Sequence, residues 1–191
     1  TLEAIRRHNI KLDRFDDMAR AFKELGLPLV TDILMGLPGS TVESFKNDLQ
    51  DCLDREVTAR TMEILMLPNS PMNDPEYRAE WAVEADEFGV VCASSTFSRA
   101  DYDQMKRLRL LYRALDHFGL LRHVLRHLQW EHGLRSLDVI HDIDRAIVED
   151  PLRYPLLGFV GRVFVMYTVP PVAWEPFFDE VVKFLADRYD I

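Results

Sequence analysis

Cysteine is scarce in this chain: among 191 residues, Cys52 and Cys92 are the two thiols. They are too few for a disulfide framework and too far apart for a shared metal motif, and they suit a reducing cytoplasm. Both fall in apolar patterns and are expected to be small buried hydrophobes. Basic residues are also short, 23 Lys and Arg against 32 Asp and Glu, for a formal net charge of -9. That balance argues against a nonspecific nucleic-acid binder, which needs clustered cations. No apolar run reaches the about 18 residues of a membrane-spanning helix, since the longest candidate, 156–169, is interrupted by Arg162. Residues 1–7 show no signal-peptide pattern and no initiating Met, and begin as though inside a helix, so a piece of a longer protein is expected. The chain also lacks the Gly-x-Ser-x-Gly elbow of serine hydrolases, a Gly-x-x-x-x-Gly-Lys phosphate loop, internal repeats and low-complexity tracts.

What is present is an ordinary globular composition, 48% hydrophobic and 29% charged, with α/β order in its first part. Phe15, Met18, Ala19, Phe22 and Leu25 follow helical spacing over 13–25. Residues 27–35 form a nearly continuous apolar run, as in a strand buried on both faces. It enters the turn Gly36-Leu37-Pro38-Gly39, after which Ser40 and Glu43 fit a capping box. Val42, Phe45, Leu49, Cys52 and Leu53 then mark a second helix, and 61–67 a second strand that exits through Pro68-Asn69-Ser70-Pro71. Helix, strand, helix, strand implies parallel strands joined by right-handed crossovers. A strand ending in glycines and opening a helix offers backbone N–H groups at the sheet's carboxyl edge, where α/β enzymes bind small molecules. On local chemistry alone a plain strand-to-helix connection is the favoured reading of the segment.

Beyond Pro71 the chain reads as a loop or short helix over 71–80, a short strand over 88–92, and then helices. Met105, Leu108, Leu111, Tyr112, Leu115 and Phe118 carry the helical period up to Gly119, and 120–130 resumes it. Ser136 is placed to cap a helix running to Asp150, and 174–189 is amphipathic. The run 156–169 fits a buried helix or a strand. His123 and His127 stand four apart on a helix, but without a third ligand at motif distance they read as a solvated basic face. Asp138, His141, Asp142 and Asp144 read as a polar helix face lacking the glycine of a calcium loop. Trp130, Met166, Trp174, Phe177 and Phe178 read as core, with an apolar ligand pocket as the alternative.

The segment from Leu2-Glu3-Ala4-Ile5-Arg6-Arg7 through Asp32-Ile33-Leu34-Met35-Gly36-Leu37-Pro38-Gly39-Ser40-Thr41 resembles the later half of the radical S-adenosylmethionine barrel. The likeness is to the cobalamin-binding-domain branch, which includes anaerobic Mg-protoporphyrin monomethyl ester oxidative cyclases. Members end one strand in Gly-Leu-Pro-Gly-Glu-Thr and the next in Pro-Gly-Thr-Pro-Leu. Here those stretches read Gly36-Leu37-Pro38-Gly39-Ser40-Thr41 and Pro68-Asn69-Ser70-Pro71-Met72. The resemblance implies the last β/α units of a partial TIM-type barrel over 1–72 and a mainly helical domain over 73–191. It implies an iron-sulfur oxidoreductase using S-adenosylmethionine, a 4Fe-4S cluster and cobalamin, with a small-molecule substrate such as a porphyrin. Ile33, Leu34 and Gly36 would then form the floor under the adenine, and Leu67 and Pro68 a second wall. The cluster requires a Cys-x-x-x-Cys-x-x-Cys loop, which this chain lacks, so the chain alone is expected to bind no cluster and to be inactive. A non-radical α/β barrel enzyme and a helical interaction module are the alternatives.

Overall fold

A computed structural model describes residues 12–163 and 173–191, so residues 2–7 of the resemblance and 164–169 of the unplaced run lie outside the described residues. The chain divides into two compact units, Thr1–Met105 and Lys106–Ile191.

In the first unit, α1 (Leu12–Glu24) leads to β1 (Val30–Met35), α2 (Val42–Asp54) and β2 (Thr58–Glu63). β1 and β2 pair in parallel, Val30 beside Thr58 through Met35 beside Glu63, with α2 as the crossover packed on both. β1 starts later than the 27–35 run because Pro28 has no N–H to donate and Leu27 N bonds back to Phe22 O of α1 at 2.9 Å. The expected burial on both faces is corrected. Val30 is 47% and Met62 52% exposed, and Asp32 meets Arg60 at 2.9 Å on the strands' open face. β2 covers 58–63 rather than 61–67, because beyond Glu63 the chain pairs with another partner: Val91 N donates to Ile64 O at 2.9 Å and Met66 N to Gly89 O at 2.7 Å.

The turn before α2 is built by its residues in order. Ser40 N closes it onto Leu37 O at 2.9 Å, with Pro38 and Gly39 (φ +87°) in the two central positions of a type II turn. The Ser40 N–H is therefore closed to a Glu43 side chain, and the capping box forms one residue later than expected. Ser44 N donates to Thr41 Oγ1 at 3.0 Å and Thr41 N to Ser44 Oγ at 2.9 Å.

The unit closes with a short 3₁₀ turn (Pro71–Asn73), α3 (Pro75–Glu80) and the antiparallel pair β3 (Glu84–Ala85) and β4 (Val91–Ala93). α4 (Arg99–Tyr112) follows, its start fixed by Ser98. Asp101 N donates to Ser98 Oγ at 3.2 Å, and the Asp101 carboxylate accepts from Ser98 N at 2.8 Å. The backbone hydrogen bond from Ser98, then that from its hydroxyl, hold the Asp101 carboxyl below its ordinary range. A depressed carboxylate stabilises the fold fully above its unfolded pKa, and that contribution fades as pH falls through the folded value. Ser98→Ala is expected to cost about 1 kcal/mol in urea unfolding at pH 7, with the difference from wild type shrinking below about pH 4.

The second unit is helical. The expected uninterrupted helix to Gly119 gives way after α4 to a π turn (Arg113–His117), in which Phe118 N reaches back to Arg113 O at 2.8 Å. α5 (Arg122–His132), α6 (Ser136–Glu149), α7 (Pro155–Val163) and α8 (Trp174–Tyr189) then pack on one another in chain order. Ser136 does not cap α6. It is the first helical residue, and its hydroxyl donates to Gln129 Oε1 at 2.9 Å, tying α6 to α5. Of the aromatic residues expected in the core, Phe177 is fully buried, whereas Trp130, Trp174 and Phe178 are 70%, 43% and 40% exposed. Met166 lies outside the described residues.

Candidate functional site

Because Met35 and Glu63 are register partners, the segments that follow them leave the parallel pair at one edge. There the chain lines a half-open cavity of about 880 Å³. Its apolar lining comes from Leu34, Leu37, Leu65 and Leu67, joined by Met72 and Tyr77. Glu63, Asp74, Glu76 and Glu80 supply its charge. The volume lies in the upper range of small-molecule sites, and an apolar lining with a few convergent polar groups is the usual composition of such sites.

The walls are held by local hydrogen bonds. Ser70 N closes onto Leu67 O at 3.0 Å, the Ser70 hydroxyl accepts from Met72 N at 3.2 Å, and Asn73 Nδ2 donates to Pro68 O at 3.3 Å. Asp74 caps α3 by accepting from Glu76 N at 2.9 Å and Tyr77 N at 3.4 Å. Tyr102 donates its hydroxyl to Glu63 Oε1 at 3.0 Å, fixing that carboxylate at the end of β2. The turn after β2 is thus complete with Asn69 and Ser70 where the family pattern has glycine and threonine.

The five residues expected at the site separate. Leu34 and Leu67 line the cavity together. Ile33 lines a different cleft of about 350 Å³, with Phe15, Met18 and Cys52 of the helices behind β1. Gly36 is buried at the strand exit with φ +89°, and the atom closest to where its Cβ would stand is the Val91 carbonyl oxygen at 3.2 Å. The close approach that this glycine permits is therefore by the chain itself. Pro68 does not line the cavity, and its carbonyl accepts from Asn73 Nδ2 in the turn after β2.

Met72, Tyr77 and the α3 carboxylates are absent from that set of five because 71–80 resembled a loop as much as a helix, and Glu63 because it reads as the lone charge of an apolar strand. The sequence held a signal: Asp74 before Pro75 is an N-cap followed by proline at the first helical position.

Neither thiol belongs to the cavity. Cys52 is buried on α2, and burial first, then the Asp48 and Asp51 charges, push its thiol up to about 12, leaving it protonated and a poor ligand. Cys92 is buried in β4 and directs Sγ at Glu84 O, 3.5 Å away. Among the described residues, no group of three or more His, Cys, Asp or Glu side chains is placed to hold a metal ion. An iron-sulfur cluster does not fit the described side chains. No helix among the described residues is long and apolar enough to cross a membrane.

The sequence is similar over 77 residues, 39% of the chain, to two bacterial enzymes. It is 34% identical to the cobalamin-dependent radical SAM methyltransferase TokK of Streptomyces tokunonensis. It is 31% identical to the 2-(S-pantetheinyl)-carbapenam-3-carboxylate methyltransferase of Streptantibioticus cattleyicolor. The match spans 11% of the length of each relative. No protein-family model matches the chain.

Proposed function

We propose that this chain is a segment of a cobalamin-dependent radical S-adenosylmethionine enzyme. Residues 1–72 contribute late β/α units of its barrel, 73–191 a mainly helical domain, and the edge of β1 and β2 receives the nucleoside of S-adenosylmethionine. The observation that carries this reading is the parallel register of Met35 with Glu63, which brings the two turn motifs to one edge, over one cavity. The similarity to two methyltransferases supports the same family. It favours methyl transfer to a small molecule over the oxidative ring closure and porphyrin substrate that the turn motifs alone suggest.

When bound, S-adenosylmethionine supplies the radical or methyl chemistry. The chain's own share is binding. Leu34 and Leu67 take up the apolar faces of the base and exclude water from them, and backbone groups of the strand exits meet its polar edge. With Cys52 protonated and Cys92 buried, cluster ligation falls to other parts of the enzyme, and this chain alone is inactive.

The test is a titration with S-adenosylhomocysteine followed by amide chemical shifts. Shifts are expected at Leu34, Leu37, Leu65 and Leu67 but not at Phe15 or Met18 of the helix-side cleft. Leu67→Ala should weaken binding roughly fivefold, about 1 kcal/mol of lost apolar contact. Saturable shifts confined to the helix-side cleft, or none, would refute the assignment.

A further inference from the structure

We infer that the π turn between α4 and α5 is a proton-operated switch: Arg122 holds the turn's carbonyl oxygens while the Asp116 carboxyl is neutral, and swings to the carboxylate when Asp116 ionises. The inference stands apart from the cavity at the edge of β1 and β2, since every group it uses lies in the helical unit.

A buried carboxyl oxygen without a donor is the first observation. Asp116 is 7% exposed, and among the described residues its Oδ1 has no hydrogen-bond partner. Two guanidinium groups of α5 stand just out of range, Arg122 Nε at 3.9 Å and Arg126 Nη2 at 4.0 Å. An ionised carboxylate at this depth would draw them in, because an unpaired buried charge is far costlier than a neutral carboxyl. The observed spacing therefore suits the neutral form. Burial pushes the Asp116 carboxyl above its ordinary range, and the charges that pull it back are Arg126 and Arg122 from α5 and His117 from its own turn.

The second observation is what Arg122 does instead. Its Nε and Nη2 donate to Asp116 O at 3.0 and 2.7 Å, and Nη2 also donates to His117 O at 2.9 Å. Those carbonyls belong to the π turn, so Arg122 braces it. Nε carries a single proton, and a bond to Oδ1 is made at the expense of the bond to Asp116 O. Two sets of acceptors thus compete for one side chain, and the charge of Asp116 decides between them.

The third is the neighbouring residue. His117 Nδ1 is also buried without a partner among the described residues. Burial, then the Arg113 and Arg122 charges, hold this imidazole below its ordinary value, so it is neutral near pH 7 and leaves Asp116 uncompensated. Two unpaired buried atoms on consecutive residues coincide with a π turn, an element found often at functional sites. The turn also reaches the surface: Phe118, 49% exposed, meets the His117 ring edge-on at 5.1 Å and the Arg113 guanidinium at 5.8 Å. A shift of the turn moves this exposed ring.

The experiment follows the backbone amides of 116–119 and the Arg122 Nε–H by NMR from about pH 4 to about pH 8. In the wild type they are expected to shift together in one transition, its midpoint above the ordinary aspartate value. In Asp116→Asn, which is nearly isosteric and cannot ionise, they should stay at their acid-form positions, whereas His117→Gln should keep the transition. Stability gives an independent reading. A carboxyl raised in the folded state favours folding below its unfolded pKa, and that contribution is lost as pH rises through the folded value. Asp116→Asn should therefore melt close to wild type at about pH 4 and above it at about pH 8. A wild-type midpoint at or below the ordinary aspartate value, no transition, or a transition lost in His117→Gln would overturn the inference. So would a stationary Arg122 Nε–H, or an Asn variant that melts below wild type at the higher pH.

Discussion

Gly36→Ala is expected to lower the free energy of unfolding by about 2–6 kcal/mol, and Gly36→Val by more. Two costs add. At φ +89° a residue with a Cβ pays about 1–3 kcal/mol of backbone strain. The new Cβ would also stand 3.2 Å from the Val91 carbonyl oxygen, a β4 backbone atom that cannot rotate away, and 3.6 Å from the Tyr102 ring. Overpacking of that kind costs about 1–3 kcal/mol when the surroundings cannot yield. Urea unfolding monitored by far-UV circular dichroism reads the sum. A loss below about 1 kcal/mol would mean that the strand exit relaxes freely. The same substitution tests the cavity, because Gly36 sits between Leu34 and Leu37 of its lining. If β1 and β4 are pushed apart, the affinity for S-adenosylhomocysteine should fall along with the stability.

The substitution also marks what was legible in the sequence. A glycine ending an apolar strand announced an unusual backbone, and the structure gives it one. The sequence does not reveal which neighbour requires that backbone, because Val91 lies far along the chain and its approach is tertiary. The same holds for the other differences. Helix faces were readable because a 3.6-residue period is local, so α1, α2 and α8 fall close to where their apolar residues put them. Strand bounds were not, because β2 is set by pairing with β1: Thr58 and Arg60 carry no apolar signal yet match Val30 and Asp32 in register. The cap of α2 shifted by one residue because the backbone N–H of Ser40, which a capping box needs, already donates to Leu37 O. The cavity's apolar half was partly legible through Leu34 and Leu67. Its acidic half was not, since Glu76 and Glu80 look like any solvated helix face until α3 is seen to border the cavity.

Phe184→Ala should cost about 3–5 kcal/mol, the range for removing a buried aromatic side chain and leaving a hole. The ring is 1% exposed on α8 and lies edge-on to two tyrosines, with centroids 5.5 Å from Tyr154 and 6.2 Å from Tyr189. Those tyrosines are not free to close over a cavity, because each is tied by its hydroxyl, Tyr154 to Asp187 and Tyr189 to Asp142, both at 2.7 Å. Anchored neighbours keep the hole open, which places the expected cost toward the upper part of the range. Phe178 on the same helix is the internal control. It is 40% exposed, so Phe178→Ala surrenders less burial, and alanine's higher helix propensity returns part of that loss. Its cost should stay below about 1 kcal/mol. Urea unfolding of both variants, with hydrogen exchange in α7 and α8 locating the loss, separates two accounts of α8. A large gap between the variants means that packing of one face holds the helix. Similar costs would mean that helix propensity decides its stability and that the tyrosines close over the vacancy despite their hydroxyl ties.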